Sequence, residues 1–285
     1  MYDVIIIGGG PAGVSASLYS KRSNLNVLLI YNDISNLEKA VKIDNYYGFP
    51  DGISGNDLFQ NGLTQAKNLG VEILKDEITG IENLRSFFNI ETPNNKFEGK
   101  TVIIATGNKK NAPPIKGLKE FEGKGISYCA ICDAFFFRNK KIGVIGNGNF
   151  ALSEANTLKN VTDKITIFTD GKNLENKTDF AINTKKIKEI HGDLKVSELE
   201  FEDGSKEDID GLFIAYGEAS AIDFAKTLGI LVEGNNINVT DKMETNVKGI
   251  FACGNITGGL LQVNKAVYEG AVAGLSATKY IKENN

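Results

Sequence analysis

The sequence predicts an α/β protein of two Rossmann-like nucleotide-binding domains, of the three-layer ββα kind, with the second inserted in the first. Three observations carry this reading. A strand, a glycine turn, a helix and a second strand follow one another twice, from Gly8 and again from Gly146. The chain has 285 residues, an ordinary size for two domains. A late apolar strand near Gly249 is suited to return the chain to the first domain. The expected division is 1–112 with 243–285 for the first domain and 113–242 for the inserted one.

Composition narrows the function classes. Hydrophobic residues make up 41% and charged residues 24%, which suits a packed core and not disorder. The net charge of −4 argues against a general nucleic-acid binder. No apolar run approaches the roughly 18 residues of a membrane helix. Met1 runs straight into an apolar strand without a basic leader, so a cytoplasmic protein is expected.

The elements follow in order. Tyr2 to Ile7 is an apolar, β-rich run. Gly8-Gly9-Gly10-Pro11-Ala12-Gly13 comes next, then a helical pattern to Ser20 and a second strand at Val27–Ile30. Gly8 permits the tight turn, Gly10 lets backbone approach a pyrophosphate at the helix N-terminus, and Gly13 lets helix and strand pack closely. The acid that reads a ribose at the end of the second strand is absent. Tyr31 stands there, with Asp33 just beyond, so the hydroxyls use backbone groups and Asn32, or Asp33 bends in. Asn56 to Leu69 has helical spacing, and short strands are expected at Val71–Leu74, Ile78–Ile81, Phe87–Ile90 and Thr101–Ala105. Asn108 to Pro114 reads as a linker. Lys141–Ile145, Gly146-Asn147-Gly148-Asn149-Phe150-Ala151, a helix to Lys159 and a strand at Ile165–Phe168 make the second fingerprint. The return falls near Asp241–Val247, before a strand at Gly249–Cys253. A helix then spans Gln262–Tyr280, and its small residues Ala266, Gly270, Ala271, Ala273 and Gly274 suit either close packing beneath a flat ring system or ordinary helix–sheet packing.

Between the two fingerprints lies Ser127-Tyr128-Cys129-Ala130-Ile131-Cys132-Asp133, holding two of the three cysteines. Two thiols at this spacing close a disulfide with little rearrangement, and pairing lowers the pKa of one of them. Disulfide exchange needs an attacking thiolate and a proton donor for the thiolate that leaves. Asp133 is placed to donate, a role that requires burial to raise its pKa. A zinc site is the alternative, because Cys129, Cys132, Cys253 and His191 number a Cys3His set. Structural zinc ligands come as two close pairs, however, and the last two here are singletons, so no metal is expected. His191 otherwise reads as filler and Cys253 as a small buried hydrophobe.

On these motifs the chain resembles the low-molecular-weight bacterial thioredoxin reductases over nearly its whole length. The cysteine motif matches, as do Ile43-Asp44-Asn45, Gly48-Phe49-Pro50, Gly52-Ile53-Ser54-Gly55, Ala105-Thr106-Gly107, Gly249-Ile250-Phe251-Ala252 and Gly254. The resemblance implies FAD in the outer domain, a homodimer and reduction of thioredoxin. It assigns Cys132 to the flavin, Cys129 to the acceptor and the acid role to Asp133. The FAD contacts it suggests are Gly8, Gly10, Pro11, Ala12, Gly13, Tyr31, Asn32, Asn45, Ile78, Ala105, Thr106, Gly107, Gly254, Asn255 and Gln262.

The departures lie near both nucleotides. Ile34-Ser35-Asn36-Leu37 replaces the family's Gly-Gly-Gln-Leu, Gly254-Asn255 replaces Gly-Asp, and Leu261-Gln262 keeps only the Gln of Arg-Gln. The largest change follows the strand at Ile165–Phe168. Thr169-Asp170-Gly171 and then Glu175 stand where the family carries the basic clamp for the 2′-phosphate of NADPH, and carboxylates there repel a phosphate. Asp170 could take a ribose hydroxyl, giving an NADH enzyme. The loss of the clamp also resembles the ferredoxin-dependent flavin thioredoxin reductases, which the reading favours over NADH or NADPH. Residues 108–141 hold eight basic and three acidic side chains, suited to an acidic ferredoxin or thioredoxin. A flavin redox sensor without turnover is the rival from another class.

Overall fold

The computed structural model describes all residues except 33–36, 38, 39, 108–112, 129, 175, 217–220 and 285, and the side chains of Ile131, Cys132 and Ala221. The expected linker at Asn108 therefore falls largely outside the described residues. The chain divides into two compact units, Met1–Lys109 with Ser220–Asn285, and Lys110–Ala219.

The first unit opens with β1 (Tyr2–Ile7), α1 (Pro11–Arg22), β2 (Val27–Tyr31), α2 (Gly55–Asn68), β3 (Glu72–Lys75), β4 (Gly80–Asn83), β5 (Phe88–Glu91) and β6 (Lys96–Ile104). The second holds β7 (Ile126–Ser127), α3 (Ala130–Asp133), a 3-10 turn at Ala134–Phe137, β8 (Ile142–Ile145), α4 (Asn149–Leu158) and β9 (Ile165–Phe168). It continues through β10 (Ala181–Asn183), β11 (Ile187–Gly192), β12 (Val196–Phe201), β13 (Lys206–Asp208) and β14 (Gly211–Ile214). The chain returns through α5 (Ala221–Thr227), β15 (Val232–Glu233), β16 (Asn236–Ile237), β17 (Ile250–Ala252), a 3-10 turn at Gly254–Thr257 and α6 (Val263–Asn284).

In the first unit the sheet runs β3-β2-β1-β6-β5-β4, with β17 also on β6. β1 lies parallel to β2 and to β6, and β17 runs parallel to the last residues of β6. β6 begins at Lys96, earlier than its apolar core suggests. Its first residues, Lys96–Gly99, alternate exposed charges with less exposed positions, and they pair antiparallel with β5. α2 starts where a cap allows it: Ser54 Oγ accepts a hydrogen bond from Asp57 N at 3.0 Å.

α1 and α6 approach each other through small residues. Ser15 Oγ donates to Val267 O at 2.7 Å. A Cβ on Gly270 would meet Ala12 O at 2.1 Å, and one on Gly274 would meet Ala16 O at 2.6 Å. Gly270 and Gly274 therefore serve close packing of α6 on α1, a helix–helix contact that neither alternative named.

The second unit has the three layers expected. Its parallel sheet is ordered β10-β9-β8-β14-β7. One face packs on α4 and α3 through Ala130, Val144, Phe150, Ala155 and Phe213. The other packs through Ile145, Phe168 and Leu212 on Ile190, Leu199 and Phe201 of the antiparallel sheet β11-β12-β13. The residues from Ser220 to Lys242, expected in the inserted domain, group with the first unit, where α5 packs on β4 and on the β15–β16 ribbon. No helix among the described residues is long and apolar enough to cross a membrane.

Gly270→Ala should lower stability by about 1–3 kcal/mol, the usual range for forcing an atom into a packed contact. Urea unfolding of the apoprotein, read by circular dichroism, measures it.

Candidate functional site

The first crevice forms where three neighbouring strands end. Gly8 follows β1, Ala105-Thr106-Gly107 follows β6, and Cys253-Gly254 follows β17, all at the carboxyl edge of the parallel sheet. This edge, flanking the central strand, is where open α/β sheets take their ligands. Gly8 has φ +118°, and a Cβ on it would meet Ala105 O at 2.4 Å. A Cβ on Gly13 would meet Gly8 O at 1.9 Å. Gly10 is the N-cap of α1, whose first turn carries neither a side-chain cap nor an acidic residue. Its backbone N–H groups suit a pyrophosphate.

Tyr31 turns its ring over Gly9, where a Cβ would come within 2.9 Å of Cγ, and meets Phe59 edge-on at 5.9 Å. Ile78 is buried just ahead of β4. Asn45 Nδ2 donates to Gln262 Oε1 at 3.1 Å, joining two residues that the resemblance suggested separately. Pro11 and Ala12 open α1, Asn32 follows β2, and Asn255 lies in the turn after β17. Asp33 lies outside the described residues, so both ways of holding the ribose stay open.

Beneath the Gly254 turn lies a pair that sequence reading missed. Glu269 Oε2 accepts from Gly254 N at 2.8 Å and from Thr257 Oγ1 at 2.9 Å. Lys265 Nζ lies 3.0 Å from the same oxygen and donates to Gly254 O at 2.9 Å. The two side chains are only 16% and 11% exposed. A buried pair of this kind fixes a turn, because either charge left alone is costly. Its sequence signal, a Lys and a Glu four apart in a helix, is no different from that of a surface pair. Cys253, just before the turn, is fully buried, and burial pushes its thiol well above the usual range, as expected of a small hydrophobe.

In the second unit, β7 leads into the cysteine segment. Cys129 and the side chain of Cys132 lie outside what is described. Asp133 ends α3, is half-buried, and accepts a hydrogen bond from Ser127 Oγ at 2.6 Å. Ala130 N donates to Glu154 Oε2, on α4, at 2.7 Å. Phe135 and Phe136 follow in the next turn, 69% and 73% exposed, with Arg138 over the Phe135 ring at 5.3 Å.

The second crevice starts out like the first. A Cβ on Gly146 would meet Ala215 O at 2.0 Å, and Gly148 is the N-cap of α4. Beyond β9 it differs. Asp170 sits in the left-handed region at φ +51°, with its side chain 1% exposed. Ile187 N donates to Asp170 Oδ1 and Lys186 Nζ to Oδ2, each at 3.0 Å. The bond to Asp170 raises the Lys186 pKa above its usual value. Lys186 thus pairs the carboxylate that was expected to repel a phosphate, and the same bonds occupy it against a ribose. Lys172 Nζ lies 4.3 Å over the Tyr216 ring, which joins the end of β9 to the end of β14. Asn147 Nδ2 donates to Asn173 O at 3.3 Å and Asn176 Nδ2 to Asn149 Oδ1 at 2.7 Å, so the segment after β9 is tied to the glycine turn. Glu175 lies outside the described residues.

His191 proves more than filler. Its Nε2 is 2.7 Å from Glu200 Oε2, and Glu189 lies close enough for all three to offer ligand atoms within 4.8 Å. Lys116 and Lys188 already pair with those two carboxylates, and Glu200 is held down at about 2, first by the bond from Lys188.

Two dinucleotide-type crevices and a Cys-x-x-Cys-Asp segment define a flavin-disulfide oxidoreductase. The pattern of the pyridine nucleotide-disulphide oxidoreductases matches residues 2–270. The thioredoxin reductase of Listeria innocua is 34% identical across 99% of this chain and 95% of its own, and that of Bacillus subtilis is 33% identical across 99% and 96%. Among solved structures, the atypical thioredoxin reductase TRi of Desulfovibrio vulgaris Hildenborough superposes with a TM-score of 0.95 at 38% identity, covering 99% of both chains. A ferredoxin-flavin thioredoxin reductase of Clostridium acetobutylicum gives 0.75 at 32%, covering 99% of this chain and 98% of its own. The chain belongs to the pyridine nucleotide-disulphide oxidoreductase family, among its thioredoxin reductases. FAD is the cofactor of this family, and the uncapped α1 N-terminus and side-chain-free glycine turn fit it.

Lys265→Met should cost about 3 kcal/mol by leaving Glu269 buried and unpaired, and it should weaken FAD retention. Urea unfolding of the apoprotein and flavin fluorescence on dilution report the two effects separately.

Proposed function

We propose that the protein is a thioredoxin reductase whose electrons come from ferredoxin and not from a nicotinamide nucleotide. The observation that carries this is the second crevice. Asp170 is turned inward onto Lys186 and Ile187 N, and the segment after β9 is tied across the glycine turn and onto Tyr216. A nucleotide entering there must break these contacts and finds no basic clamp for a 2′-phosphate. The similarity to a ferredoxin-flavin thioredoxin reductase points the same way.

FAD, when bound in the first unit, supplies a carrier that accepts electrons singly and releases them in pairs. Gly10 and the α1 N-terminus would hold its pyrophosphate, and the Gly254–Asn255 turn, braced by Glu269, would offer hydrogen-bonding groups to its hydroxyls. By the resemblance, Cys132 would be the sulfur that exchanges with the flavin. Cys129 as thiolate attacks the acceptor disulfide, and a mixed disulfide forms as the acceptor's other sulfur leaves. Asp133, oriented by Ser127, gives that sulfur a proton. Cys132 then closes the Cys129–Cys132 disulfide and frees the second acceptor thiol, so one dithiol is exchanged for another. The chain works as a homodimer.

Phe135 and Phe136 form the docking surface for a protein acceptor, an exposed aromatic pair one turn from the cysteines. Changing both to Ala should raise the KM for thioredoxin about tenfold, with kcat held within about twofold, consistent with losing one hot spot. Anaerobic titration of the FAD-loaded protein tests the donor. Reduced ferredoxin should bleach the flavin within the mixing time, and NADPH or NADH at micromolar levels should not; rapid bleaching by either nucleotide would reject the donor assignment.

A further inference from the structure

Lys265 stands where a helix disfavours a cation. It is the third residue of α6, and the first turn of a helix carries the positive end of its dipole. No acidic residue shares that turn. The side chain is only 16% exposed. Its Nζ lies 2.9 Å from Gly254 O, 2.9 Å from Thr257 Oγ1 and 3.0 Å from Glu269 Oε2, and it also donates to Gly258 O. Gly254 and Gly258 both sit in the left-handed region, at φ +85° and +76°, and both carbonyls meet the same ammonium. Oxygens of four residues thus converge on one nitrogen. A counter-charge for Glu269 needs only one of these contacts.

We propose that the Gly254–Gly258 turn is a cage for a small monovalent cation of ammonium size, that the chain's own Lys265 fills it, and that a filled cage is what shapes the turn for FAD. Lys265 is thus a positioning residue, acting on the cofactor crevice through backbone carbonyls. Its ammonium holds Gly254 O and Gly258 O together across the turn, while Glu269 holds Gly254 N and Thr257 Oγ1. With the cage empty, two carbonyl dipoles and a carboxylate face one another in a site largely shut off from water, and the turn opens. Neutralising Glu269 alone does not replace the centre that the carbonyls share, which separates a cage from a simple ion pair. Cys253 reports the opening, because it is fully buried and directly precedes Gly254.

The test is cation rescue of the full chain. Lys265→Ala empties the cage and leaves room for a free ion. Its Kd for FAD, read by flavin fluorescence, should rise about tenfold or more. Ammonium chloride at about 0.1 M should bring the Kd back to within about threefold of the parent's, as a ligand that binds only the closed turn must. Tetramethylammonium chloride at the same strength screens equally but is too large for the cage, and should not. On the apoprotein, N-ethylmaleimide should label Cys253 about tenfold faster or more in Lys265→Ala than in the parent, read by the mass of its peptide, and ammonium should slow it again. This second reading needs no flavin. Lys265→Met combined with Glu269→Gln removes both charges, so no unpaired charge is left buried. It should hold FAD as weakly as Lys265→Ala and ignore ammonium, because the methionine fills the space. If the double variant holds FAD like the parent, or if the two salts act alike on Lys265→Ala, the cage is wrong. A Lys265→Ala chain that folds only with ammonium present supports it. If that chain is unfolded in both salts, the double variant decides.

Discussion

The first unit depends on backbone meeting backbone with no side chain between. At the carboxyl edge of its sheet, Gly13 lies against Gly8 O, Gly8 against Ala105 O, and Gly270 against Ala12 O. Each contact is closer than any Cβ would permit. Together they draw α1 onto β1 and α6 onto α1, and they leave the first turn of α1 uncapped at the crevice. The free N–H groups that suit a pyrophosphate are thus a by-product of the packing. The buried serines of α1 follow from the same approach, because Ser15 can reach Val267 O only where the helices nearly touch.

The second unit repeats the turn and gives it a different surrounding. Gly146 presses on Ala215 O as Gly8 does on Ala105 O. Beyond the neighbouring strand, however, the chain bends at Asp170 and Gly171, both with positive φ, and folds back over the turn. Asn147, Asn149 and Lys172 then bond within the protein at the positions where a nucleotide would be met. A fingerprint alone therefore marks a fold, and the segment after its second strand governs what the fold can take.

Much of this was legible in the sequence because it rests on local rules. Both glycine turns, α2, β9 and the cysteine segment follow from short-range patterns of glycine and apolar runs. The sheet β11-β12-β13 was not, because its residues alternate among many charges and its bulges at Ile187–Glu189 and His191–Gly192 break the period. The extent of β6 was missed for a related reason, as the charges Lys96 and Glu98 break the apolar run before Thr101. Within the site, Asn45 and Gln262 were named one by one, but 217 positions separate them and nothing in either neighbourhood signals the pairing.

The amino-acid order by itself determined the two crevices, the cysteine pair and the loss of the basic clamp, because each depends on residue types at fixed short spacings. Only the tertiary structure decided which way the charged side chains turn. Asp170, read as facing a nucleotide, is bound inward by Lys186, 16 residues on; Glu269 braces Gly254, and Glu154 holds the amide next to Cys129. The physical reason is that a charge is placed by the partner that compensates it, and in each case that partner is supplied by the folded chain.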